Sequence, residues 1–190
     1  MDTGTIIWIV VGVVVLLLIM LVIGTYNKLV NGRNKVKDQF AQIDVQLKRR
    51  SDLIPNLVET VKGYAKHEEG TLTAVIEARN KYVTASSSGN INDEVAANNE
   101  LTGALSKLFA LAESYPDLKA NTNFMNLQNE LKETENKISY ARQFYNDTVL
   151  TYNNLTEMFP SNIIAGMFGF KAFEFFKAAD SERETPKVSF

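Results

Sequence analysis

The 190-residue sequence contains no cysteine, only one histidine and only four prolines. The absence of cysteine excludes a disulfide framework and a thiolate zinc site, although it leaves the cellular compartment open. The formal net charge is −2, whereas a nucleic-acid-binding protein normally carries a basic surplus, so we expect no nucleic-acid partner. Scarce strand signals and few prolines favour an all-α protein.

An unbroken apolar run lies near the N-terminus. Residues 6–23 read IIWIVVGVVVLLLIMLVI, and as a helix they span ~27 Å, close to the ~30 Å hydrocarbon thickness of a bilayer. No basic residue precedes the run, it exceeds the length of a signal-peptide core, and no small-x-small cleavage site follows it. A single transmembrane anchor over residues 6–26 is therefore predicted, represented by Ile6, Trp8, Leu17, Ile23 and Tyr26. The amphipathic rings of Trp8 and Tyr26 suit the two membrane interfaces.

The charges that flank the run predict an orientation. Only Asp2 and the terminal amine precede it, whereas four basic residues follow it closely: Lys28, Arg33, Lys35 and Lys37. Positive residues near a span resist translocation. We therefore expect the N-terminus outside and the rest of the chain in the cytoplasm.

Apolar residues at alternating steps of three and four predict long helices after the anchor. One series runs from Phe40 to Tyr64, and a cleaner one runs from Phe124 to Phe159. Connections between about four helices are short, which predicts an antiparallel bundle. A coiled coil between subunits is the alternative explanation for the long series.

Two shorter helices are predicted between those series. The first has helical spacing at Leu72, Val75, Ile76, Arg79 and Val83. The sequence SSSGN at 86–90 is typical of a flexible loop, and Asn92 or Asp93 can cap the helix that follows.

Arg50 lies on the 43, 47, 50, 54 stripe, where an apolar side chain is expected. It can snorkel at the edge of the bundle, or it can form a buried ion pair with Asp44, Asp52 or a glutamate of another helix. A lone buried guanidinium is too costly, so burial requires a partner or water. We interpret Arg50 as architectural.

Pro55 and His67 have ordinary structural interpretations. Pro55 either kinks one helix or lies in the first turn of a new one, and the continuous apolar phase favours a kink. His67 has no second histidine to share a metal, and the HExxH motif is absent. No catalytic triad, P-loop or dinucleotide loop is present, so we predict no enzyme, no cofactor and no metal.

The C-terminal segment after Pro160 is crowded with aromatic residues: Phe168, Phe170, Phe173, Phe175 and Phe176. Gly166 and Gly169 interrupt it, so it is not one more bundle helix. It can fold back and cap its own bundle, dock onto a neighbouring subunit, or lie on the membrane surface. We predict a homo-oligomer in which this tail contributes to subunit contacts.

The sequence YNKLVNGRNKVKDQFAQIDVQLKRRSDLIPNLVETVKGYAKHE, followed by TLTAVIEARNKY, resembles the LemA family of bacterial membrane proteins. The resemblance extends to the terminal PKVSF. It implies a membrane anchor, an α-helical bundle and no established enzymatic activity. The expected division is a short tail at 1–5, an anchor at 6–26, a LemA-like bundle at 27–159 and an aromatic-rich segment at 160–190.

Two functions fit these expectations. The first is a scaffold at the bacterial cytoplasmic (inner) membrane that self-associates and organises envelope components. The second is a sensor or regulatory accessory of a membrane signalling or proteolytic system. The expected partners are the bilayer through the N-terminal helix, other copies of the chain, and unidentified membrane proteins.

Overall fold

The computed structural model describes residues 2–176, which form six helices and no β-strand. The helices are α1 (Thr3–Lys62), α2 (Glu69–Ser88), α3 (Ile91–Ala112), α4 (Pro116–Lys119), α5 (Thr122–Glu157) and α6 (Ser161–Met167). This confirms the all-α prediction. The described chain divides into two compact units, which we call the anchor unit (residues 2–41 and 143–175) and the bundle unit (residues 42–142 and Phe176).

In the bundle unit, α2 runs antiparallel to α1. Arg79 Nε donates to the carbonyl oxygen of Ser51 at 3.1 Å, whereas Ser86 Oγ lies 3.4 Å from Asp44 Oδ1, so the numbering of the two helices runs in opposite directions. The start of α5 is likewise antiparallel to α1. With α3 returning beside α2, the helices alternate in direction, which confirms the predicted antiparallel bundle.

The apolar series of α1 forms the core of the bundle unit. Five residues at steps of three and four are almost fully buried: Ile43, Leu47, Ile54, Leu57 and Val61. The predicted extension of this series to Tyr64 is wrong, because α1 ends at Lys62 and Tyr64 is exposed in the following turn. Ala65 is buried instead.

The predicted buried face of α2 is partly wrong. Leu72 and Val75 are buried as expected, but Ile76 and Val83 are exposed. Their places are taken by Ala78 and Tyr82, which follow Leu72 and Val75 at steps of three and four and therefore lie on the same buried face of α2.

The predicted loop at 86–90 is mostly helix. The hydroxyls of Ser87 and Ser88 donate to carbonyl oxygens one turn back, which satisfies them locally and lets α2 continue to Ser88. Gly89, with φ of 70°, then provides the left-handed residue that ends the helix. The side chain of Asn90 accepts from the Asn92 N–H at 3.0 Å, so Asn90 rather than Asn92 or Asp93 is the N-cap.

In the anchor unit, the end of α5 packs closely against α1. The rings of Phe40 and Tyr145 meet edge to face at 5.9 Å. At Gly32 the helices are so close that an added Cβ would lie 3.0 Å from Cδ2 of Tyr152. The absence of a side chain at Gly32 therefore permits this approach.

The chain after α6 folds back along α5 within the anchor unit. Asn153 forms two hydrogen bonds with the main chain of Phe173, and the Tyr145 hydroxyl donates to the carbonyl oxygen of Glu174 at 3.0 Å. The Phe173 ring also meets Tyr152 edge to face at 5.3 Å. Residues 173–174 are thereby tied to the last four turns of α5.

Candidate functional site

The bundle unit contains a buried polar cluster centred on Arg50. The Arg50 side chain is 2% exposed, and its Nη1 donates to Glu135 Oε2 at 2.6 Å. Nη1 also lies 3.3 Å from Asn98 Oδ1, while Nη2 donates to Thr102 Oγ1 at 2.7 Å. Burial lowers the pKa of Arg50, and the charge of Glu135 opposes that shift. The guanidinium therefore joins α1, α3 and α5.

Neither aspartate named from the sequence pairs with Arg50. Asp52 accepts from Lys48 at 3.2 Å in an exposed i,i+4 pair, and Asp44 receives the Ser86 hydroxyl. A residue two positions from Arg50 on a helix does not face it, and neither does one six positions away. The partner is Glu135, a glutamate of another helix, whose side chain is 38% exposed.

A pair of carboxyl groups lies on the next turns of the same interior. Glu94 of α3 is 4% exposed and interacts electrostatically with Asp44 of α1. Burial, followed by the charge of Asp44, raises the pKa of Glu94 to about 7. Two adjacent carboxylates repel each other, so the charge of Asp44 favours the protonated form of Glu94.

Several buried polar atoms around these two groups have no hydrogen-bond partner among residues 2–176: Ser51 Oγ, Tyr82 OH, Glu94 Oε1 and Asn98 Nδ2. Such atoms are normally satisfied by protein or water. Ser51 and Tyr82 line an open groove of about 230 Å³ that also includes Asp44 and Ser86. The interior can therefore hold water and bind a proton. Among residues 2–176, no three acidic or histidine side chains are grouped to hold a metal ion.

The predicted anchor residues lie on an uncovered stretch of α1. An 18-residue window of this helix has a mean hydropathy of 3.5 and none of it is buried, so it is long and apolar enough to cross a membrane. Ile6, Trp8, Leu17 and Ile23 are all exposed. The Tyr26 ring instead contacts Phe168 and Phe170, with centroids at 4.9 Å and 5.7 Å.

The aromatic residues of the tail divide into packed and exposed groups. The ring of Phe170 receives the guanidinium of Arg33 at 5.2 Å, and the buried ring of Phe176 receives Arg142 at 4.6 Å. Phe173 packs against α5, as described above. Phe168 and Phe175 remain largely exposed. Three of the five named residues thus pack within their own unit.

Pro55 and His67 take no part in the polar cluster. The helix α1 continues through Pro55 without a break, so the alternative of a new helix at this point is wrong. His67 is exposed in the turn between α1 and α2. The kink at Pro55 stays a prediction.

Sequence reasoning missed most partners of the cluster, namely Tyr82, Glu94, Asn98, Thr102 and Glu135. The spacing of residues along α3 could have identified two of these partners. Glu94 and Asn98 precede Leu101, Leu105 and Leu108 at steps of four and three, so they belong to the buried stripe. Polar residues on such a stripe indicate an interior network.

Comparison of the sequence with known proteins identifies the family of this chain. A family model described as the LemA family matches residues 39–190. The chain is 25% identical over 189 aligned residues to magnetosome protein MamQ 2 of Paramagnetospirillum magneticum, covering 86% of this chain and 70% of the relative. The corresponding protein of Magnetospirillum gryphiswaldense is 24% identical with the same coverage.

Protein LemA of Metamycoplasma hominis is 25% identical over 165 residues, covering 85% of this chain and 73% of the relative. None of these names denotes an enzyme. Together with the apolar stretch of α1, the relatives identify a membrane-associated helical protein. The match over residues 39–190 shows that this chain belongs to the LemA family.

Proposed function

We propose that the protein is a non-enzymatic scaffold that crosses the membrane once through residues 6–26, self-associates, and organises other envelope components. The observation that carries this proposal is the composition of α1. One 60-residue helix bears both the uncovered apolar stretch and the buried apolar series of the bundle. A helix of this kind can hold a folded helical domain at a membrane surface.

The flanking charges support a specific placement. Four basic residues follow the apolar stretch closely, and Asp2 is the only charged side chain among residues 1–5. This favours an outside N-terminus and a cytoplasmic bundle at the bacterial inner membrane.

Large apolar side chains on the surface of the bundle unit support self-association. Val45 is 58% exposed and Tyr140 is 66% exposed. Anchoring in one bilayer confines the copies to a thin layer, which raises their effective concentration and favours lateral contacts. In the anchor unit, the exposed Phe175 is also available to a neighbouring copy or to another membrane protein.

The size of the full-length protein in lipid nanodiscs tests this proposal. We expect multimers by light scattering, and we expect Tyr140→Glu to shift them to smaller species because it places a charge at the contact. Ser139→Glu is the matched control, because Ser139 is the exposed neighbour of Tyr140 and the substitution adds the same charge. A wild-type protein that is monomeric at every lipid-to-protein ratio would contradict self-association.

A sensor or regulatory accessory is the second candidate function. The Asp44–Glu94 pair favours it, because a carboxyl with a pKa of about 7 changes its charge near neutral pH. A sensor binds a discrete partner stoichiometrically, whereas a scaffold forms large assemblies. Measuring assembly size and partner stoichiometry at pH 6 and pH 8 separates the two functions.

A further inference from the structure

Other residues of the anchor unit begin to bury α1 before its apolar run, residues 6–23, has ended. Residues 2–21 are exposed, whereas Val22 is half-buried and Thr25, three residues later, is half-buried as well. Leu29, one turn further on, is fully buried. Packing against α1 therefore starts at the last turn of the apolar run, and no exposed helical segment separates the run from the packed part of the anchor unit.

The ring contacts identify the segment at this level. Phe168, which follows α6 directly, packs on Tyr26 at a centroid distance of 4.9 Å. Tyr26 is three residues beyond Ile23, the last residue of the apolar run, which corresponds to ~4.5 Å along a helix. The end of α6 therefore lies at the depth where a spanning α1 would leave the hydrocarbon.

Residues 158–168, which we call the interfacial segment, have the chemistry of a membrane-surface element. No charged residue occurs from Met158 to Phe170. Ile164 and Ala165 are buried against the unit, whereas five large apolar side chains are between 52% and 79% exposed: Met158, Phe159, Ile163, Met167 and Phe168. An apolar exposure of this density indicates a contact surface.

We propose that the interfacial segment inserts into the headgroup–acyl boundary of the bilayer that holds the anchor, as a second membrane contact beside the span. The proposal rests on the proposed function in one respect, namely that α1 spans the membrane. The occupant is lipid rather than a second copy because the contact with Tyr26 fixes the segment at the membrane surface whenever α1 is inserted. Aromatic and aliphatic side chains are favoured in that layer.

The neighbouring charges fit this placement. Lys28 and Lys171 flank the contact region and are exposed, so their ammonium groups can reach lipid phosphates while their stems lie along apolar surface. With so few cations, insertion depends on apolar side chains rather than on anionic lipid. The contact should therefore form on zwitterionic lipid and persist at high salt.

The absence of native cysteine allows a direct test on the full chain. Single-cysteine variants Met167→Cys, Leu17→Cys and Thr151→Cys are labelled with an environment-sensitive fluorophore and reconstituted into phosphatidylcholine vesicles. The label at position 17 is the reference for a site inside the bilayer. The label at position 151, which is exposed on α5 of the same unit, is the reference for a site in water. Quenching is measured with nitroxide-bearing lipids and with aqueous iodide, at low and high salt.

The expected result is a several-fold stronger lipid quenching and weaker iodide quenching at position 167 than at 151, unchanged by salt. If Leu17 is quenched by lipid while position 167 responds to iodide as strongly as 151, the second membrane contact does not exist. Protection of position 167 from both quenchers identifies a protein occupant and also overturns the proposal. If position 17 is not quenched by lipid, α1 does not span the membrane and the proposed function itself fails.

Discussion

The side chain of Asn153 forms a reciprocal pair of hydrogen bonds with the main chain of Phe173. Its Nδ2 donates to the Phe173 carbonyl oxygen and its Oδ1 accepts from the Phe173 N–H, both at 2.9 Å. Asn153 is buried, so no water replaces these bonds without rearrangement. One amide thus satisfies both polar groups of a residue in irregular backbone, where no ladder partner is available.

Replacing Asn153 with Ala should loosen the returning chain without unfolding the bundle. Each buried main-chain group left without a partner costs about 1–3 kcal/mol, so residues 170–175 should open more often. Hydrogen exchange of the Phe173 amide should accelerate, while exchange in α2 and α3 stays unchanged. Asn154→Ala is the control because Asn154 is exposed. Equal exchange in both variants would show that the hydrogen-bond pair does not hold the segment.

Arg50→Ala should destabilise the full-length protein by about 3 kcal/mol. The substitution leaves Asn98 without its charged donor and Glu135 without its cation, and it opens a cavity between three helices. The midpoint of denaturant unfolding, followed by circular dichroism in mild detergent, measures the change.

The control for Arg50 is Lys48→Ala, which removes an exposed ion pair and should change stability by less than about 0.5 kcal/mol. Arg50→Lys should fall between the two, because one ammonium cannot reach acceptors on α3 and α5 at once. Unfolding of Arg50→Ala at the wild-type midpoint would refute an architectural role for this arginine.

The stability of the bundle unit should decrease as pH rises through neutrality. The pKa of Glu94 is raised from 4.5 to about 7 in the folded protein, so the folded state binds more protons than the unfolded state between these values. Its contribution is fully present below pH 4.5 and is lost as pH rises through 7, by up to about 3 kcal/mol. Glu94→Gln should remove this dependence and stabilise the protein at pH 8. Exposed Glu59 provides the control, Glu59→Gln.

The orientation proposed for the anchor predicts opposite labelling at two positions. Cysteine in place of Asp2 should react with a membrane-impermeant maleimide in intact spheroplasts, because the N-terminus is expected outside. Cysteine in place of the exposed Lys107 of α3 should react only after lysis. The reverse pattern would place the bundle outside the cell.

The helical architecture followed from the sequence because long apolar periodicity dominates it. The steps through Ile43, Leu47, Ile54 and Leu57 predicted the buried face of α1, since a period near 3.5 admits one face only. The boundaries of α2 were less predictable. Ser87 and Ser88 are turn-forming residues, but their hydroxyls bonded back to the helix and extended it.

The polar cluster could be predicted only in part. The position of Arg50 on an apolar stripe indicated a buried charge that needed a partner. The pairing of Arg50 with Glu135, 85 residues later in the sequence, depends on how α5 packs against α1. No local sequence pattern encodes that register. Glu94 was missed because an acidic residue in the first turn of a helix is ordinarily read as favourable to the helix dipole.

The long sequence separation between Arg50 and Glu135 affects how the protein is made. At ribosomal speeds of about 5–20 residues per second, roughly 4–17 s pass between the synthesis of these two residues. The partners of α1 on α2 and α3 are made earlier, at separations of 28 to 52 residues, so the contact with α5 is the last of these to become possible. During that interval the part of the α1 face that α5 covers in the folded protein stays uncovered. A chain ending before α5 can therefore form the α1–α2–α3 contacts, but Arg50 then lacks its carboxylate partner, so the buried cation is neutralised only when α5 is added.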